Sequence, residues 1–68
     1  MLTYVITDHK KFNQVEDIEI NTHQLIWAGQ FVGDLKIHLD DGTTDIYEQR
    51  LYSIKHFIDK YGFIITEE

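Results

Sequence analysis

The sequence predicts an α+β fold: a small antiparallel β-sheet of four to five strands around a central Asp-Gly hairpin, one C-terminal helix packed on one face, and a short closing strand. Three observations carry this expectation. Leu35, Ile37 and Leu39 alternate with Lys36, His38 and Asp40, the two-residue period of a half-buried strand. Asp41-Gly42 follows directly, the strongest short-range hairpin signal in the chain, since a type I′ turn needs positive φ at both central residues. Leu51, Ile54, Phe57, Ile58 and Tyr61 then recur at helical spacing, with Gly62 just past the last of them.

Sixty-eight residues make a single domain, 1–68. A chain this short buries only about 60% of the surface its unfolded form exposes, so its stability margin is small. It has no cysteine, hence no disulfide staple and no thiolate cluster. Stability must come from the apolar 43% of the residues or from self-association.

Each element follows from local pattern. Met1 to Thr7 is β-branched and aromatic with apolar residues on both faces, a pattern that suggests a central strand. Asp8 to Lys11 reads as a polar turn, after which Phe12 folds back as a plug. Gln14 to Ile20 is a second strand, with Ile18 and Ile20 inward and Asp17 and Glu19 outward. Asn21-Thr22 is a tight turn. His23 to Val32 fits a strand bent at Gly29; a helix capped by Thr22 is the alternative, weakened by Gly29 and Gly33.

The hairpin of residues 34–49 comes next. A two-residue loop would set Ile37 opposite Ile46 and Leu39 opposite Thr44 on the core face. His38 would then face Asp45, and Lys36 would face Tyr47, on the other side. The helix covers about 50–61, beginning near Gln49 or, with Ser53 as N-cap, shorter. Its stripe of Leu51, Ile54, Phe57, Ile58 and Tyr61 packs on Ile37, Leu39 and Ile46. Phe63 to Thr66 closes the fold, paired with the first strand.

The formal net charge of −6 disfavours docking on nucleic-acid phosphates or an anionic membrane surface and suits a basic protein partner. No basic-then-apolar leader and no run of ~18 apolar residues is present, so a cytoplasmic location is the default expectation. His9, His23, His38 and His56 show no metal-ligand spacing. His38, Asp40 and Asp45 would gather on one hairpin face, but a cross-strand His–Asp pair, with Asp45 raising the pKa of His38, accounts for them better than a metal ion. Ser53 lacks an elbow motif and no phosphate-binding loop exists, so no catalytic residue, metal or cofactor is expected.

Two surfaces remain for binding. One is acidic: Glu16, Asp17 and Glu19 on one strand, with Asp40, Asp41, Asp45 and Glu48 around the hairpin. The other is aromatic: Trp27, Phe31, Tyr47 and Tyr52, of which one small helix cannot cover all. The chain therefore reads as a small non-enzymatic protein-binding module, an inhibitor or regulator of a basic, nucleic-acid-handling partner. Its length and composition are compatible with a phage, mobile-element or bacterial source. The alternative is a homodimeric accessory or structural domain.

Overall fold

The computed structural model describes residues 2–21 and 25–67, and of Leu25, Trp27, Gln49 and Arg50 the backbone. In chain order the elements are β1 (Leu2–Ile6), α1 (His9–Phe12), β2 (Val15–Ile20), β3 (Leu25–Trp27), β4 (Gln30–Leu39), β5 (Thr44–Ser53), α2 (Ile54–Tyr61) and β6 (Phe63–Glu67). The class is α+β, antiparallel throughout, with the C-terminal helix packed against the strands.

Strand β4 is the spine. β5 runs along one of its edges, while β2 and β3 share the other, β2 against residues 35–39 and β3 against 30–32. β1 and β6 form a separate two-stranded ribbon, so the first strand is peripheral rather than central. The expected pairing of the closing strand with the first is present, with Ile6 opposite Phe63 and Tyr4 opposite Ile65.

The segment of residues 25–32 is a hairpin of its own. Ala28 and Gly29 both have positive φ, 52° and 72°, the requirement of a two-residue I′-type loop. The expected bend at Gly29 is therefore a complete reversal between Trp27 and Gln30. Thr22, His23 and Gln24 lie outside the described residues.

The 34–49 hairpin forms with a different register. The Gly42 N–H donates to the Leu39 carbonyl at 3.1 Å and the Leu39 N–H to the Thr43 carbonyl at 2.8 Å, closing a three-residue loop, Asp40-Asp41-Gly42, with Gly42 at φ 89°. Asp41 holds the loop by accepting from the Thr43 N–H at 2.9 Å and its hydroxyl at 2.6 Å. Ile37 thus pairs with Asp45, Lys36 with Ile46 and Leu35 with Tyr47. A one-residue slip sends every side chain of β5 to the opposite face. Ile46, expected in the core, is 55% exposed, while Tyr47 is buried.

Farther along, the ladder shifts again between Gly33 and Leu35: these pair with Arg50 and Tyr47, so β5 carries an extra residue at Glu48-Gln49. That bulge places Tyr52 opposite Phe31 on the inner face and turns Leu51 outward, 58% exposed. The strand persists to Ser53, so Leu51 belongs to β5 and the helix is the shorter of the two expected.

One core joins the layers. Phe31, Leu35, Ile37 and Tyr47 of the sheet meet Phe57 and Tyr61 of α2 and Phe63 and Ile65 of β6. Phe57 is its hub, fully buried, with ring centroids 5.1 Å from Tyr47, 5.7 Å from Phe63 and 6.0 Å from Phe31. The expected polar turn after β1 is a single helical turn capped by the Asp8 carboxylate, which accepts from the N–H groups of Lys10 and Lys11. Phe12 does fold back, stacked 5.6 Å from Tyr4 and edge-on to Phe63. Gly62 ends α2 in the left-handed conformation, φ 78°, and its carbonyl accepts from both Thr7 and Asp8 N–H groups. A side chain at Gly62 would run into the Asp8 carbonyl, so only glycine lets the end of α2 approach the start of α1 this closely.

Candidate binding face

The side of the β2–β4–β5 sheet turned away from α2 is set by the register. Across the three strands, Asp17 lies opposite His38 and His38 opposite Thr44; one row on, Glu19 lies opposite Lys36 and Lys36 opposite Ile46. Asp17, Glu19, Lys36, Thr44, Ile46 and Glu48 are all exposed, so this face is open to solvent. Two hollows mark it: a groove of about 710 Å³ beside Glu19, Lys36, Ile46 and Glu48, and a smaller one of about 390 Å³ beside Glu16, Asp17, His38 and Thr44.

Of the acidic residues singled out in the sequence, Glu16, Asp17 and Glu19 stand on β2 and Glu48 on β5, on opposite sides of β4. Asp40 and Asp41 lie exposed in the hairpin loop between β4 and β5. The Thr43 hydroxyl, and then its N–H, hold the Asp41 carboxyl below the usual carboxylate range. Asp45 leaves this group. The register turns it to the inner side, where it accepts from the Tyr61 hydroxyl and lies 3.7 Å from the Lys60 ammonium.

His38 therefore pairs with Glu19 rather than Asp45. Its Nε2 is 2.6 Å from the Glu19 carboxylate and its Nδ1 is 3.0 Å from the Thr44 hydroxyl. The hydrogen bond from His38, with smaller contributions from the charges of His38 and Lys36, holds the Glu19 carboxyl below its ordinary range. A lowered carboxyl favours the fold above its unfolded titration range and loses that contribution as the pH falls; here the group is exposed and the effect is slight. With Asp45 on the other face, the His38, Asp40, Asp45 trio does not assemble. Among the described residues, no three His, Asp or Glu side chains are placed to hold a metal ion.

The aromatic residues take up different positions. Phe31 and Tyr47 are buried, and Tyr52 is half-buried with its ring edge-on to Tyr47 at 4.9 Å. All three belong to the core or its margin. The Trp27 side chain and His23 lie outside the described residues.

Sequence reasoning missed one polar constellation. Tyr61 donates its proton to Asp45, so its oxygen accepts from the Tyr47 hydroxyl, 2.6 Å away. Tyr47 has then spent its proton, and the His56 Nε2 at 3.1 Å must donate to it. The chain His56–Tyr47–Tyr61–Asp45 fastens both ends of α2 to β5. Burial, then the hydrogen bonds to Asp45 and Tyr47, push the Tyr61 phenol well above its ordinary range. Register hid it: the two-residue hairpin loop turned Asp45 and Tyr47 together to the outer face, away from His56 and Tyr61 of α2.

No family model, curated protein or solved structure matches the chain.

Proposed function

We propose that the protein is a non-enzymatic protein-binding module that presents the outer face of β2–β4–β5 to a basic partner, acting as an inhibitor or regulator of a nucleic-acid-handling protein. One observation supports this above others: exposed carboxylates on β2 and β5 flank β4 on both sides, around a single lysine, Lys36, and His38. Potentials of this sign steer cationic surfaces and repel nucleic acid. A partner whose groove normally takes phosphates, such as a nuclease encountered by a phage or other mobile element, offers the matching chemistry.

A triple reversal, Asp17→Lys, Glu19→Lys and Glu48→Lys, tests the reading. These side chains are exposed, so the fold is expected to survive. Partners captured by the wild-type protein should bind the variant at least about tenfold more weakly, with a steep loss of wild-type affinity in added salt. Undiminished binding would overturn the acidic face as the contact surface.

One observation favours the dimeric alternative. The bulge at Glu48-Gln49 places Ile46 and Leu51 on the same outer side of β5, both more than half exposed, along a ten-residue strand paired only with β4 among the described residues. Sedimentation of the same two proteins discriminates: a dimer in both, with no partner captured by either, favours self-association.

A further inference from the structure

We infer that His38 makes the charge of this face responsive to pH: its ring takes a second proton at Nδ1 while keeping both hydrogen bonds, so that acidification weakens docking of a basic partner and leaves the fold unchanged. The inference rests on the reading of the outer face as a binding surface.

The geometry admits both protonation states. Glu19 is ionised and can only accept, so His38 Nε2 carries a proton and donates to it at 2.6 Å. The neutral ring leaves Nδ1 as an acceptor, and the Thr44 hydroxyl at 3.0 Å donates to it. A hydroxyl both donates and accepts. When Nδ1 gains its proton, the Thr44 hydroxyl turns its own hydrogen to solvent, which reaches it because Thr44 is exposed, and accepts from Nδ1 instead. No backbone group moves.

The surroundings set the direction of the response. From β2, Glu19 contacts the ring, Asp17 lies opposite in register and Glu16 lines the same hollow. On β4 itself, Lys36 and Asp40 stand two residues to either side, and from β5 the facing group is the uncharged Thr44. The imidazolium thus adds its charge to that of Lys36 in the centre of the face, between the acidic strands. Protonation of the ring therefore changes the charge of the face without changing that of its carboxylates.

The experiment combines ring-nitrogen NMR of the full chain between pH 8 and 5 with titration of an octalysine peptide at pH 7.5 and 5.5. The Nδ1 resonance of His38 should report protonation while the backbone amides of β4 and β5 keep their pattern. Octalysine should bind the wild type about threefold more weakly at pH 5.5 than at 7.5, one unit charge acting at short range through water. His38→Gln, which keeps a donor for Glu19, should bind equally at both values. An equal ratio in wild type and variant would overturn the inference while leaving the acidic face intact. Loss of the strand amide pattern on protonation would overturn it as well. Absence of octalysine binding at either pH would overturn the acidic face itself, and the inference with it.

Discussion

Phe57→Ala is expected to leave the chain largely unfolded at 25 °C. Phe57 is fully buried and touches the sheet through Phe31 and Tyr47, the ribbon through Phe63, and its own helix through Tyr61. Truncating a buried phenylalanine costs about 3–5 kcal/mol. A domain this short, without disulfide or metal, has a stability of roughly that size. The ring also stands where three layers meet, so no single element can collapse into the void. Near-UV circular dichroism and urea titration should show a lost or barely measurable cooperative transition. A midpoint close to wild type would mean that α2 does not pack as described.

Tyr61→Phe carries the second-largest effect, and it has a pH signature. At neutral pH the variant loses the donor to half-buried Asp45, which keeps Lys60 nearby, and the acceptor for the buried Tyr47 hydroxyl, an expected cost of about 1–3 kcal/mol. Above the ordinary tyrosine range a second difference emerges. The folded protein holds the Tyr61 proton where the unfolded chain, with a phenol pKa of about 10, has released it. The unfolded state then binds fewer protons, so this contribution is complete below about pH 10 and is lost as the pH rises, by about 1.4 kcal/mol per unit. Urea midpoints at pH 8, 10 and 11 should fall more steeply for wild type than for the variant, because every other titrating group is common to both. Parallel curves would show that Tyr61 is not held protonated by burial and by its two partners.

The strands and the helix were legible because their periods are strong. Ile18 and Ile20 alternate with Asp17 and Glu19, and Gly62 stops a stripe that ends in Phe57, Ile58 and Tyr61. Register was not legible from Asp41-Gly42 alone, since the dipeptide serves a two-residue loop and, with Gly42 as the left-handed third residue, a three-residue one. Thr43 was the overlooked signal, because Asp41 uses both of its donors to widen the loop. The I′-type loop occurs instead at Ala28-Gly29, where Ala28 at φ 52° costs about 1–2 kcal/mol that propensity does not foresee. Leu51 fits the helical spacing, and only the bulge at Glu48-Gln49, a tertiary feature of the ladder, turns it outward on β5.

These local choices decide the candidate site. The three-residue loop removes Asp45 from the acidic face and supplies it to the hydroxyl chain. The same slip puts Tyr47 in the core and leaves Glu19 as the partner of His38. Asp17 and Glu19 are exposed, as their alternation with Ile18 and Ile20 predicts, and that alternation does not depend on long-range pairing. The network of His56, Tyr47, Tyr61 and Asp45 depends on it entirely.

The register of β5 against β4 therefore underlies both the core and the outer face, and side-chain NOE spectroscopy of the labelled protein measures it directly. The Tyr47 ring should show strong contacts to the Phe57 ring, whose centroid is 5.1 Å away, with the Ile46 methyl groups showing none to Phe57. Ile46 methyl contacts to Phe57, with the Tyr47 ring in solvent, would contradict the register and with it the assignment of the acidic face.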